Sequence, residues 1–240
     1  MRTNDIIPRW SGFEVLEDRI LITGGKDSKE SGANSNAFYF IPSTRDCIHL
    51  PSMIYGHSSH LSLLINGLVY IIAGKNQSNT TSTNCETFSI AEENWTEIAP
   101  MNAGRTCCSG TNSGDNIYIL GGYQLAVDNT IERYSIPENE WKWLSVTLPD
   151  KIWQHSCVLI SEGQILICGG ESSGDEPHRM SYIFDTEQEI FHSFSTIPAH
   201  SHWLFFWLHV HRSGNAIYSI NKERMILKYN MSTNSWLIFK

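Results

Sequence analysis

The chain has 240 residues, 41% hydrophobic and 18% charged. That is enough apolar material for a packed core and too much for wholesale disorder. A formal net charge of −8 argues against a nucleic-acid binder, which draws on a surplus of Lys and Arg. The longest strongly apolar stretch, residues 203–210, falls far short of the roughly 20 residues of a membrane helix. The N-terminus, MRTNDIIPRW, holds no apolar run long enough for a secretion signal, and six cysteines are too sparse for a disulfide scaffold. A cytoplasmic protein with neither nucleic-acid nor membrane partners is expected.

Five apolar runs of one form follow along the chain. They are RILITGG ending at Gly25, LVYIIAG at Gly74, NIYILGG at Gly122, QILICGG at Gly170 and AIYSINK at Lys222, with ends 49, 48, 48 and 52 residues apart. An aromatic follows each run: Tyr39, Phe88, Tyr134, Phe184 and Tyr229. A second aromatic stands seven residues further on in four of the units, at Trp95, Trp141, Phe191 and Trp236, while Asp46 and Cys47 take that place in the first. Pro51, Pro100, Pro149 and Pro198 recur every 49 residues. Four markers in one order at one period define five repeats, approximately 8–50, 51–99, 100–148, 149–197 and 198–240, in one domain covering 1–240.

Each run before the glycines is rich in Ile, Val, Leu and Tyr and too short for a good helix, which predicts a strand buried on both faces. The glycines end it. A weaker strand precedes it, such as HSCVLI, across a polar turn such as SEGQ. The aromatic strand and the Trp strand follow, joined by Glu/Asn/Pro-rich turns such as PENE. Four short antiparallel strands of about 48 residues cannot bury both faces of their sheet alone, and radial stacking of such sheets solves this. The expected fold is an all-β propeller of five four-stranded antiparallel blades, in which the outer-strand aromatics fill the wedges between neighbours. Residues 5–8, DIIP, repeat the strand ends EIAP and STIP. The sequence therefore leaves two readings open, five closed blades or an incomplete six-bladed ring, with a lean toward a shortened chain.

No Trp is followed by Asp, so the WD signature is missing. PMNAGR, NIYILGG and IERYSIPENEW in the third unit instead resemble the kelch repeat, as it occurs in adaptors that join a BTB domain to a kelch propeller. The resemblance covers essentially the whole chain. It departs at Ala73-Gly74 and at Asn221-Lys222, and no BTB-like helical segment precedes the first unit. It implies a kelch-type β-propeller that grips a protein or peptide ligand, often through Arg. It further implies a BTB/cullin-type ligase component or actin as the larger assembly.

With strands a to d counted from the axis outward, the b–c and d–a connections share one face. The b–c loops are long in four units, at 26–35, 75–83, 123–129 and 171–179, and shrink to 221–224 in the fifth. Longer loops on one face of a rigid scaffold are where binding resides. The d–a segments carry Arg9, Trp10, Tyr55, His57, Arg105, Trp153, His155, His202 and Trp203, types enriched at recognition hot spots. Arg179 joins them from a b–c loop. By the resemblance, Arg9 and Arg105, with Arg179, are the candidates for the family's ligand-gripping Arg, able to pair with a partner's carboxylate. The competing reading has these residues filling the central channel.

His200, His202, His209 and His211 form two His-x-His pairs, but no Cys or carboxylate beside them completes a metal site. Cys107, Cys108 and Cys157 are placed in inner strands as small buried hydrophobes. No phosphate loop, zincin motif or nucleophile elbow occurs. The expectation is a non-catalytic interaction module without cofactor, serving as substrate recognition for a ubiquitin ligase. The alternatives are a small enzyme acting on a sugar or peptide and a cytoskeletal scaffold.

Overall fold

A computed structural model describes residues 7–123, 129–172, 176–196, 211–214, 216–220, 226–233 and 235–239. The fold is all-β and of propeller type, with five four-stranded antiparallel blades. The chain divides into two compact units, Met1–Cys107 and Cys108–Lys240.

The first unit holds two blades. Blade 1 is β1 (Gly12–Val15), β2 (Ile20–Thr23), β3 (Ala37–Ile41) and β4 (Asp46–His49); blade 2 is β5 (Leu61–Ile65), β6 (Leu68–Ile72), β7 (Cys85–Ser89) and β8 (Asn94–Ile98). In each, the strands pair in chain order. A two-residue turn, Asn66-Gly67, joins β5 to β6 with both residues at positive φ, the geometry that matches strand twist in tight hairpins. Between the blades lies a core of Leu21, Tyr39, Val69, Ile71 and Phe88, with Trp95 packed against it. The Trp95 ring lies 4.8 Å from that of Phe88, tilted by 41°, and its indole donates to the Pro51 carbonyl at 2.8 Å. The outer aromatic of blade 2 thus reaches the end of blade 1, as the wedge argument requires.

The second unit holds three blades. Blade 3 is β9 (Ser109–Ser113), β10 (Asn116–Leu120), β11 (Ile131–Ser135) and β12 (Glu140–Trp143). A short β13 (Ile152–Trp153) precedes blade 4, which is β14 (Ser156–Ser161), β15 (Gln164–Cys168), β18 (Met180–Asp185) and β19 (Ile190–Thr196). Between β15 and β18 the connection forms β16 (Glu171–Ser172) and β17 (Glu176–Pro177), and β13, β16 and β17 make a three-stranded ribbon. Blade 5 is β20 (His211–Ser213), β21 (Ala216–Ile220), β22 (Ile226–Asn230) and β23 (Ser235–Phe239).

Strand alternation explains why the second strand of each blade carries apolar residues at odd and even positions alike. Successive side chains point to opposite faces. On β15, Ile165 and Ile167 pack toward blade 3 with Tyr118, Leu120 and Ile131, while Leu166 packs toward blade 5 with Ile217 and Tyr229. Each fully buried side chain of this kind contributes about 1.5–3 kcal/mol. Phe191 lies against the first of these clusters and Trp236 against the second. Cys107 and Cys108 were expected inside an inner strand. They stand just before β9 instead, with Cys107 at φ 55. Cys157 lies in β14 as expected.

Candidate functional site

The d–a segments enter their blades through one repeated conformation. Trp10, Ser59, Cys107 and Gln154 all hold φ between 54 and 60, the left-handed region that side chains rarely adopt. Each is 15 residues ahead of the second glycine of its unit, except Gln154, which is 16 ahead. The extra residue is accounted for by the β-bulge between Leu159 and Ser161 on β14.

Arg9 and Arg105 do not occupy equivalent positions in this alignment. Arg9 stands one place before its left-handed residue and Arg105 two places before, so the two are offset. Arg105 matches His57 and Ile152; Arg9 matches Ser58, Thr106 and Trp153. The offset separates their surroundings. Arg9 is exposed and Trp153 half-buried, whereas Arg105 and His57 are 0% exposed. In this conformation Arg105 and His57 present no surface to a partner.

The buried positions carry the scaffold. The backbone carbonyls of His57, Arg105 and Ile152 accept from the N–H of Gly25, Gly74 and Gly122 at 2.7, 2.8 and 3.1 Å. Each d–a segment is thereby tied to the second glycine of the preceding blade. It is also tied to its own blade, through the residue just after that blade's glycines. Arg9 bridges Lys26, Ser58 bridges Lys75, and Trp153 pairs with Glu171. A side chain on Gly74 would bring its Cβ to 2.6 Å from the Ser58 carbonyl oxygen, and one on Gly170 to 2.5 Å from that of Trp153. The glycines allow this backbone approach.

Around His57 the first unit holds a polar network. Its Nδ1 donates to the Ala73 carbonyl at 2.9 Å, and its Nε2 lies 3.3 Å from Glu86 Oε1, both side chains fully buried. Glu86 also accepts the backbone N–H groups of Ile54 and Tyr55 at 2.8 and 3.1 Å, fixing the turn that leads into the segment. Tyr55, half-buried, donates to Glu97 at 2.5 Å. His60 packs edge-on to His57 at 5.7 Å and meets Thr23 Oγ1 at 3.0 Å. Burial, and then the neighbouring His57, hold His60 well below the usual histidine value. His155 occupies the matching position in blade 4 and is depressed to about 3, first by burial and then by His178.

The accessible chemistry of the first unit gathers at Trp10. The Arg9 guanidinium and the Lys26 ammonium each lie 5.6 Å from its ring centroid, within cation–π range. Lys26 is 5% exposed and donates to Asn79 Oδ1 from the next blade's connection. Burial, then Lys75, hold its ammonium below the usual lysine value, with Glu30 acting in the opposite direction. Among the described residues, Arg9, Lys26 and Lys75 form no ion pair with a carboxylate. Two cations thus converge on one aromatic, with Lys75 a charged neighbour of Lys26, in a chain of net charge −8.

The second unit offers a different arrangement. Trp153 donates its indole N–H to Glu171 Oε2 at 3.1 Å and meets the Tyr123 ring edge-on at 5.4 Å. Asp150 accepts from Tyr182 at 2.5 Å and from His178 at 3.0 Å. Those two bonds, in that order, hold its carboxyl below the usual range, while burial and Asp150 push Tyr182 up to about 12. Arg179 is exposed on the same connection. His202 and Trp203, with His200 and His209, lie outside the described residues.

Sequence reading named Lys26, Lys75, Tyr123 and Glu171 only as loop boundaries. Their signal was present, since all four directly follow a second glycine. A nucleophilic role for Cys157 finds no support in its environment. Burial pushes its thiol far above the usual cysteine value, away from the thiolate that a nucleophile requires.

Residues 104–142 match the Kelch motif family. The chain is 31% identical over 138 residues to Kelch-like protein 40 of Xenopus laevis, covering 55% of this chain and 22% of that protein. It is 29% identical over 168 residues to Kelch-like protein 36 of Bos taurus, covering 65% and 26%, and 30% identical over 95 residues to Kelch-like protein 23 of Homo sapiens, covering 38% and 16%. The chain spans about a quarter or less of the length of these curated relatives. The periodic glycine and aromatic markers, the five four-stranded blades and these likenesses agree: the chain carries a Kelch motif on a β-propeller fold and is similar to kelch-like proteins.

Proposed function

We propose that this chain is a non-catalytic interaction module that binds a protein or peptide where the d–a segments meet the b–c connections. The observation that carries the reading is the exposed Arg9 guanidinium over the Trp10 ring, with the Lys26 ammonium on the same ring and Lys75 a charged neighbour of Lys26. These cations have no carboxylate partner of their own among the described residues, and they stand on backbone fixed by bridges to a neighbouring strand end. A site of this kind suits a carboxylate-bearing segment of a partner, held by charge-assisted hydrogen bonds and an aromatic floor. The likeness to kelch-like proteins supports the finer reading, in which the module recognises substrates for a ubiquitin ligase with a BTB/cullin-type component supplied by another part or chain.

Affinity capture from cell extract, comparing the wild-type chain with Arg9→Ala, Lys75→Ala and Trp153→Ala, tests the reading. A defined partner lost from the variants, each with an unchanged melting curve, supports it. Turnover of a small molecule with no partner captured overturns it.

A further inference from the structure

We infer that Tyr123, Trp153 and Glu171 form a subsite for a cationic side chain, specifically the guanidinium of a partner's arginine. This rests on the interaction-module reading and adds the chemistry of a second contact. Three observations in the second unit carry it. Tyr123 is 56% exposed, although it follows directly on a buried glycine pair. Its ring stands at 75° to that of Trp153, with centroids 5.4 Å apart, so the two make an aromatic corner, not a stacked plug. Glu171 is only 8% exposed, and the one described hydrogen bond to its carboxylate comes from the Trp153 indole.

A carboxylate withdrawn from water is costly unless a cation or several donors compensate it. Among the described residues no cation lies within ion-pair distance of Glu171. The indole N–H is one neutral donor on one oxygen, which leaves acceptor capacity on the carboxylate. An arginine supplies what is missing. Its planar fork can donate to the carboxylate while its face or edge lies on an aromatic ring. A lysine ammonium supplies the charge without the plane.

The corner is built in advance of any ligand. Trp153 and Glu171 face each other in the β13–β16 pairing, and the Gly122 N–H that leads into Tyr123 donates to the Ile152 carbonyl at 3.1 Å. Next to it, His178 donates its backbone N–H to the Gly170 carbonyl and its ring meets Asp150 at 3.0 Å. Little ordering remains to be done on binding, which is the usual source of usable affinity in a small subsite.

The test is a titration of the 15N-labelled chain with N-acetyl-arginine amide, following the Trp153 indole N–H resonance, which is assigned by its loss in Trp153→Phe. N-acetyl-citrulline amide, of the same shape without charge, is the control probe, and N-acetyl-lysine amide tests the plane. A saturable shift with arginine is expected, at least fivefold weaker with citrulline. Glu171→Gln, which keeps an acceptor for the indole, is expected to weaken arginine binding at least tenfold, and Tyr123→Ala severalfold. Each variant must first show the wild-type melting curve. If it does not, the citrulline comparison on the wild-type chain decides alone. Equal response to arginine and citrulline, or an unaltered response in Glu171→Gln, overturns the subsite. A captured partner that ignores Glu171→Gln overturns the subsite and leaves the module standing; absence of any captured partner overturns the module instead.

Discussion

Replacing Gly74 by Ala tests the central geometric claim, that the second glycine exists to let the d–a backbone approach. Gly74 holds φ +91, and an added Cβ would meet the Ser58 carbonyl oxygen at 2.6 Å and His60 Cβ at 2.9 Å. A non-glycine residue in such a conformation costs about 1–3 kcal/mol. Relieving the clash also separates Ser58 from Lys75, whose two backbone hydrogen bonds measure 3.0 and 2.8 Å. Each is worth about 0.5–1.5 kcal/mol net. Gly67 in the same blade supplies the control. It holds φ +79, yet a Cβ there meets nothing within 4 Å, so Gly67→Ala carries the conformational cost alone. The two variants should differ by about 1–3 kcal/mol, or about 2–12 °C in Tm at roughly 2–4 °C per kcal/mol for a chain of this size. Thermal melts followed by circular dichroism, with urea titration as a second measure, read the difference. Equal losses in the two variants, or a larger loss in Gly67→Ala, would refute the close-approach argument.

Stability should fall as pH drops below about 6.5, because His155 titrates near 3 when folded and near 6.5 when unfolded. A depressed folded value means that the unfolded chain takes up the proton first, which costs about 2 kcal/mol at pH 5; His60 adds a contribution of the same sign. Urea midpoints at pH 7 and 5 measure it, and an unchanged midpoint would contradict the buried neutral state. Trp141→Ala, at a 6% exposed site, should cost about 3–5 kcal/mol, and Trp95→Ala less because Trp95 is only half-buried; unaltered melts for both would remove the wedge role. Lys75→Glu should leave Tm nearly unchanged, within about 0.5 kcal/mol, while weakening capture of a carboxylate-bearing partner. A large loss of stability there would mean that Lys75 serves the fold.

The blades were legible because their cause is written in residue type and spacing. A strand packed on both faces must be apolar at odd and even positions alike, and β6, β10 and β15 are. The glycine ends and the outer aromatics follow from the same stacking. The site was legible only in part. Arg9 and Arg105 are the same residue type in the same stretch of their units, and a shift of one position puts one in solvent and the other in the interior. Residue type gives no warning of that; counting back from the glycines does. The β13–β16–β17 ribbon was missed because two-residue strands have too few positions to show a period. Glu171 read as the first residue of a polar loop, and its partner in the strand pairing and at its carboxylate is Trp153, eighteen positions away.

The stitching between d–a segments and glycines uses main-chain atoms alone: the carbonyls of His57, Arg105 and Ile152, and the paired amides beyond. No side chain at Arg9, Ser58, Trp153, Lys26, Lys75 or Glu171 is needed to close those hydrogen bonds. The platform is consequently indifferent to what it displays. A basic corner in one unit and an aromatic, acidic one in the other hang from the same backbone pattern, and either could be rewritten without renegotiating the fold beneath it. Specificity and stability are stored in different atoms of the same residues, which makes such a chain an economical frame for acquiring new ligands.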